Sequence, residues 1–528
     1  YEAKYYRDLT AANDGLLSED LSDFNLAKGT TNFTLNGGRN EYAIMGWFYR
    51  AAYDYKGKYL AEVNGRYDGT SRFPRGKRYG FFPSFSAAYR ISEEAFFEPL
   101  RKTVDNLKIR LSYGSLGNQQ IGYYDFIQTI TTKGSMGDYS FDGTILGQHA
   151  TVSDPVSGNQ TWEKVISKNL GADLNMFSNR LSLTADFYIR DTKGILGKGK
   201  SLPSIYGANE PQVNSNNLRT KGYELVLGWR DSFKLAGSTF SYGITGTFSD
   251  YTAEYTKCDN PSGLIGGPYV GKKYGEIWGY KVDGLFRNDE EAAEYASRVD
   301  LSKVAAGYYS ATGAYGKGVR GGDIKYLDLD GSGIVDGGKG TLEDPGDRRV
   351  IGNSSPRYQY GLTLNLSWYG FDLSVFMQGI GRLDWYPGAD NLRFWGPYSR
   401  PYATFIPKNF MSQVWSESNP DAYLPRARAY TSLNSTQGTA YYTNDRYLQN
   451  LAYCRLKNLT LGYTIPKRLT SKVGIKECRV YFSGENLATW SALKNDFLDP
   501  EQAAANSDKK SNVYPWCRTY SVGLNLTF

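Results

Sequence analysis

The sequence predicts an all-β fold, a transmembrane antiparallel β-barrel, from three observations. The first is the end of the chain, Tyr520-Ser-Val-Gly-Leu-Asn-Leu-Thr-Phe528. Tyr520, Val522, Leu524, Leu526 and Phe528 alternate there with Ser521, Gly523, Asn525 and Thr527. A period of two puts hydrocarbon on one side of a strand and polar atoms on the other. The second observation is that this pattern recurs along the chain, with carboxylates and amides at some of the non-apolar positions. The third is that short turns alternate with long polar loops, as at the two rims of a membrane barrel. A soluble sandwich also accommodates the terminal strand taken alone.

Composition bounds the reading. The chain has 528 residues, of which 40% are hydrophobic, and a mean hydropathy of −0.51. No apolar run approaches the ~18–20 residues that a spanning helix needs, a test that a barrel escapes because only alternate residues face lipid. Tyr 45, Phe 25 and Trp 10 suit pleated, half-buried surfaces and interfacial belts. Gly 59 against Pro 19 points to tight turns rather than disorder. The 61 basic and 54 acidic residues leave a net charge of +7, with no Lys/Arg run dense enough for a nucleic-acid patch. Cys258, Cys454, Cys478 and Cys517 form no C-x-x-C pair, and with a single histidine they count against a zinc site.

In chain order, the first 40 residues read as a polar loop. Amphipathic strands follow at Tyr59–Tyr67, Leu107–Tyr113, Leu181–Ile189, Tyr223–Trp229, Leu362–Trp368, Phe371–Met377, Leu456–Tyr463 and Val480–Ser483. In Leu181–Ile189 the face opposite Leu181, Leu183, Ala185, Phe187 and Ile189 carries Asp186. A carboxylate costs little against a wet interior and much in a dry core. Glu224, Asn365 and Asp372 repeat this placement and favour a polar lumen. Short turns are expected at Lys56-Gly57, Phe177–Arg180 and Tyr369-Gly370, and long loops over roughly 114–160, 190–218, 251–350 and 380–450. Glu290–Arg298 reads as a short helix in one of them. The pattern gives about 12–14 strands.

These segments resemble the SusC/RagA group of TonB-dependent outer-membrane transporters. The resemblance rests on Arg66-Tyr-Asp-Gly-Thr-Ser-Arg-Phe73, Gly80-Phe-Phe-Pro-Ser-Phe-Ser86, Leu107-Lys-Ile-Arg-Leu-Ser-Tyr-Gly114 and Gly117-Asn-Gln119. It continues through Trp162-Glu163, Asn169-Leu-Gly171, Lys221-Gly-Tyr-Glu224, Gly279-Tyr-Lys-Val-Asp-Gly284 and Val350-Ile-Gly-Asn353. Tyr360-Gly361, Gln378-Gly379, Arg455-Leu-Lys-Asn458, Gly462-Tyr-Thr-Ile-Pro466, Gly484-Glu-Asn-Leu487, Asp499-Pro-Glu501 and the terminal strand complete it. Each fragment is weak alone, but their joint order is specific.

The resemblance implies a 22-stranded barrel around an N-terminal plug, long extracellular loops, and a SusD-like surface lipoprotein as a lid. It also implies import of glycans or peptides with energy delivered by TonB, in the outer membrane of a Gram-negative bacterium, and Phe528 as the barrel-assembly signal. The chain opens at Tyr1 without a leader. Residues 1–528 are therefore expected to be the C-terminal barrel portion, with plug, TonB-contact segment and early strands supplied by the rest of the polypeptide, since lipid cannot satisfy open sheet edges.

Asp328-Leu-Asp330-Gly-Ser332-Gly-Ile-Val-Asp336 resembles the first nine positions of a calcium loop, and oxygen side chains at alternate positions converge on a hard cation. Lys339 stands where the bidentate Glu would be, so Asp344 or Asp347 is the substitute. Calcium on Asp328, Asp330, Ser332, Asp336 and Asp347 is the expectation, and a metal-free acidic turn the alternative. The aromatics Trp385, Tyr386, Phe394, Trp395, Tyr398, Tyr402 and Phe405 crowd one segment. Trp385, Tyr386, Trp395, Tyr398 and Tyr402 are expected to touch substrate or lid by ring stacking, and a loop folded on itself or a membrane girdle is the alternative. Tyr274–Tyr280 is a weaker version. Catalysis has little support, because the lone His149 lies in an expected loop and no phosphate-binding G-x-x-x-x-G-K-[ST] occurs. Nutrient import is thus the leading reading. A non-transporting barrel or adhesin, and a soluble β-rich glycan-binding or hydrolytic protein, are the alternatives.

Overall fold

The computed structural model describes the chain apart from residues 16–19, 21, 22, 24–26, 28, 30–32, 135–139, 142, 143, 146, 147, 200, 201, 310–317, 400, 401, 403–405, 407, 429–432, 434–437, 495–497 and 506–515. Its main sheet has 14 strands. They are β1 (Glu2–Ala12), β2 (Thr34–Tyr55), β3 (Tyr59–Thr70), β4 (Tyr79–Arg90), β5 (Val104–Asn118), β6 (Glu163–Met176) and β7 (Leu181–Lys198). Then follow β8 (Gln212–Leu235), β9 (Ser238–Lys257), β10 (Arg357–Trp368), β11 (Phe371–Arg382), β12 (Tyr453–Thr464), β13 (Glu477–Ser491) and β14 (Thr519–Thr527). Their order in the sheet is their order in the chain, a meander without crossovers.

The expected strands of the chain's interior all fall inside these elements, and the expected short turns fall between them. Lys56 and Gly57 have φ of 54° and 66°, and Tyr369 and Gly370 of 49° and 81°. Two successive positive φ values match the twist of two-residue hairpins. A third such turn, Ala236-Gly237, escaped the sequence reading.

The structure corrects the start of the chain. Residues expected to be a polar loop form β1 and part of β2, paired over eleven rungs from Glu2↔Ile44 to Ala12↔Thr34. Glu2–Ala12 has almost no apolar alternation, so the main-chain ladder rather than a greasy face defines it. Strands also run further into the expected loops. The 18-residue β7 exceeds the about 9–11 residues that cross a bilayer, and just beyond Ile189 it is polar on both faces (Arg190, Asp191, Thr192, Lys193).

The chain divides into two compact units. The first comprises Tyr1–Ala88, Leu111–Asn169 and Arg190–Arg219. Its small core packs Phe73, Phe82 and Trp162, and the Trp162 indole donates to the Arg78 carbonyl at 2.9 Å. His149 lies in this unit, on a short strand paired with Ile130–Gly134 rather than in a loop.

The second unit comprises Tyr89–Arg110, Leu170–Ile189 and Thr220–Phe528. Here the ladder registers side chains across six strands, β9 to β14. One row reads Tyr242–Leu366–Leu373–Leu461–Phe482–Val522. The rows on either side read Gly243–Asn365–Ser374–Thr460–Ser483–Ser521 and Ser241–Ser367–Asp372–Gly462–Tyr481–Gly523. Adjacent rows point to opposite faces, so one face is hydrocarbon and the other is hydroxyl, amide, carboxylate and glycine.

The long loops of this unit fold on themselves. Two-stranded ladders join Glu276–Tyr280 to Arg348–Asn353, Val282–Leu285 to Ile324–Tyr326, and Asp384–Trp385 to Gln449–Asn450. The expected helix is α1 (Asp289–Arg298), whose N-cap Asn288 accepts from the Glu291 backbone N–H at 2.9 Å. Around these elements lies the largest hydrophobic core among the described residues. Its buried members run from Tyr280 to Tyr447, and none belongs to β1–β14.

Candidate functional site

Three features of the second unit carry chemistry. The first is the polar face of the wall. Arg479 on β13 donates through Nε to Asp372 on β11 at 2.9 Å, crossing the intervening β12 at Gly462. A Cβ on Gly462 would collide with both partners. The same device recurs where Arg110 on β5 reaches Asp186 on β7 at 3.0 Å over Gly171 on β6. Arg110 also holds Asp173 at 3.0 Å, and Lys108 reaches Asp173 at 2.9 Å. Charges on this face are paired but remain wet: Arg479 and Asp372 keep 24% and 34% side-chain exposure. Among the carboxylates and amides expected on this face, Asp186, Asp372 and Asn365 are so placed, and Glu224 is exposed.

The second feature is the acidic loop. Ligand oxygens of Asp328, Asp330 and Asp347 lie within 4.8 Å of one another. Asp347 is fully buried and accepts from the backbone N–H of Leu329 at 2.6 Å and of Asp336 at 2.9 Å. Burial pushes its carboxyl above the usual aspartate range, the Asp330 charge adds to this, and the backbone donors oppose it. Asp328 accepts from Gly331 and Gly333, which bends the loop so that its acids meet. Of the two residues suggested for the twelfth-position role, Asp347 joins the trio and Asp344 instead lies 3.9 Å from Lys339. Asp336 and Ser332 stand outside the trio. The Asp336 carboxylate accepts from Gly338 at 2.7 Å, and the Ser332 hydroxyl donates to the Ile334 carbonyl at 3.0 Å.

The third feature is the aromatic segment. Trp385, Tyr386, Trp395 and Tyr398 are buried, with Trp395 wholly enclosed. Trp395 packs edge-on against Tyr447 at 5.1 Å and Phe394 at 4.7 Å. The hydroxyl of Tyr398 donates to the Pro425 carbonyl at 2.5 Å, and that of Tyr386 to Tyr442 at 3.1 Å. Side chains held this way pack the loop body. All four are enclosed here: Tyr386, Trp395 and Tyr398 meet partners from 410–447, and Trp385 packs with Leu383, Leu451 and Ala503. Tyr402 is 83% exposed and is the one of the five open to a partner. Phe405 lies outside the described residues.

Comparison with known proteins fits this geometry. Residues 2–487 match the family described as "TonB dependent receptor-like, beta-barrel". The chain is 26% identical to TonB-dependent receptor P3 of Formosa agariphila, over 97% of this chain and 48% of that protein. It is 24% identical to TonB-dependent receptor SusC of Bacteroides thetaiotaomicron, over 92% of this chain and 44% of that protein. Among solved structures, the RagAB peptide importer in its closed-closed state superposes with a TM-score of 0.72 at 21% identity, covering all of this chain and 52% of that one. The open-open state gives 0.70 at 22% identity, over 97% of this chain and 50% of that one. These likenesses establish the fold. The chain spans about half the length of the curated relatives it matches, at 48% for the first of them. The matched relatives are named as receptors and transporters, not as enzymes. On the family match over residues 2–487, the chain belongs to the TonB-dependent receptor-like β-barrel family.

Proposed function

We propose that this chain is the wall and loop body of an energy-coupled outer-membrane importer for oligomeric nutrients, glycans or peptides. The two-faced wall supports this most directly: six strands register hydrocarbon on one side and a wet, charge-bearing surface on the other. Lipid takes the first face, and a plug or passing substrate the second. β1 and β14 stand at the two ends of the strand order. The remaining strands and the plug come from polypeptide outside this chain, because edges facing lipid carry unsatisfied backbone groups. That other part contacts TonB, and a SusD-like surface lipoprotein covers the loop body, with Tyr402 offered to it. Substrate enters when the lid lifts and passes when TonB pulls on the plug.

The acidic trio fits a hard cation, since three carboxylates converge and the most buried one is costly to ionise without a positive partner. Calcium is proposed at Asp328, Asp330 and Asp347, where it would pin the loop body. Calcium titration of the intact transporter is expected to lose this binding in the Asp328→Ala plus Asp330→Ala variant. Unchanged binding removes the site.

Transport is tested by deleting the full gene and following uptake of fluorescent glycan and peptide oligomers, with and without an uncoupler. Loss of energy-dependent uptake, restored by the gene, is the expected result. Surface binding without uptake in the wild type favours the adhesin reading.

A further inference from the structure

We propose that a cleft in the loop body binds the carboxylates of an acidic oligosaccharide. This rests on the import reading, for which it names the nutrient class. The cleft measures about 540 Å³. Trp278, Tyr441 and Tyr442 line it together with Lys339 and Arg348, and no acidic residue does.

Arg348 carries the argument. Its Nη2 donates to the Gly337 carbonyl at 2.7 Å. A Cβ on Gly337 would come within 2.9 Å of the guanidinium, and one on Gly340 within 3.0 Å. The guanidinium therefore lies against bare backbone, where only glycine leaves room. Its Nε is buried and has no hydrogen-bond partner. Elsewhere in this unit Arg110, Arg357, Arg428, Arg455 and Arg479 each meet a carboxylate, while Arg349 and Arg446 donate to backbone carbonyls. Arg348 meets no carboxylate among the described residues. A buried donor without an acceptor costs free energy that a ligand oxygen recovers. Arginine's planar fork matches a carboxylate. Lys339, with 82% side-chain exposure and 3.9 Å from Asp344, stands at the rim as a second, loosely paired cation.

The aromatic residues point to a sugar. The Trp278 indole N–H donates to Glu276 at 2.6 Å, and the Tyr442 hydroxyl donates to the Lys303 carbonyl at 2.8 Å. With its polar handle engaged, Trp278 has its ring faces left to offer, which suit the C–H face of a pyranose, and the Tyr442 ring packs edge-to-face with Tyr280 and Tyr441 beside it. A peptide would add along a free strand edge. Beside the cleft that edge is taken, because the Tyr280 N–H donates to Thr443 and the Asp445 N–H to Tyr280.

The test uses the full-length transporter in detergent, titrated calorimetrically with an oligogalacturonate, a neutral oligogalactan of the same length and an oligoglutamate. The oligogalacturonate is expected to bind best, and Arg348→Gln to weaken it about tenfold or more, the worth of a charged hydrogen bond. Equal binding of the neutral sugar, tighter binding of oligoglutamate, no binding of oligogalacturonate, or an unchanged Arg348→Gln affinity overturns the proposal. Should Arg348→Gln not assemble, the exposed Lys339→Gln replaces it: a several-fold loss that shrinks with added salt supports the cleft, and no loss overturns it. Uptake by cells separates the two readings. No energy-dependent uptake of any oligomer defeats import, whereas wild-type uptake that persists undiminished in Arg348→Gln defeats only the cleft.

Discussion

The wall and the loop body of the second unit use the same apolar residues in opposite ways. In the loop body Trp395, Phe286, Tyr326 and Tyr447 are sealed from solvent, and their partners come from distant parts of the chain. In the wall the apolar rows stand open: Val522 is 79% exposed, Leu524 58% and Leu461 47%. The loop body carries its core inside, as a water-soluble domain does. The wall leaves half its core to be completed by lipid. One ion pair from each region shows a parallel contrast. Arg428 and Asp323 in the loop body keep 6% and 0% side-chain exposure, against 24% and 34% for Arg479 and Asp372 on the wall.

This contrast breaks first in the loop body. Trp395→Ala is expected to cost about 3–5 kcal/mol, and Asp323→Ala a similar ~3–5 kcal/mol by stranding the buried Arg428 charge. Limited proteolysis should then cut within 280–447 while the sheet stays protected, and equal protection of both regions counts against an independent loop core. Next comes the wall's apolar face, where Leu461→Arg should cost about 2–4 kcal/mol in urea unfolding from bilayers and Thr460→Arg much less. Equal costs would erase the two-faced wall. Asp372→Ala on the wet face is expected to cost under about 1 kcal/mol; a loss as large as that of Asp323→Ala would mean the face is dry.

The smallest effect is one of pH. Burial holds the Asp347 carboxyl above the usual aspartate range, so protons compete for it earlier than at an exposed aspartate. Calcium affinity should be full when Asp347 is ionised and fall as pH drops through that raised range. Affinity that holds down to the ordinary aspartate range would remove Asp347 from the ligand set.

Much of the wall was legible in the sequence because period-two alternation is local. Leu181–Ile189 and Leu456–Tyr463 declare their faces without help from any partner. β1 was not legible, since Glu2–Ala12 has no greasy face to read and owes its existence to pairing with β2. The loop core was hidden for a different reason. Trp395 reads equally well as a ligand platform or as packing, and only its meeting with Tyr447, 52 positions further along the chain, decides it. The acids on the polar face were found, but the glycines beneath their ion pairs were read only as family motifs. The sequence offers one signal for them, glycine at Gly171 and Gly462 within otherwise regular strands. Arg348 carried no signal, because its lack of a carboxylate partner is a fact of three dimensions.

The central claim is the opposed chemistry of the wall's two faces, and spin labelling of β12 in the full-length protein tests it most directly. Nitroxides placed singly at positions 458–463 of a cysteine-free variant in lipid bilayers would be read for contact with dissolved oxygen, which concentrates in lipid. Contact should peak at 459, 461 and 463 and dip at 458, 460 and 462. A flat profile, or peaks at the even positions, would contradict the account.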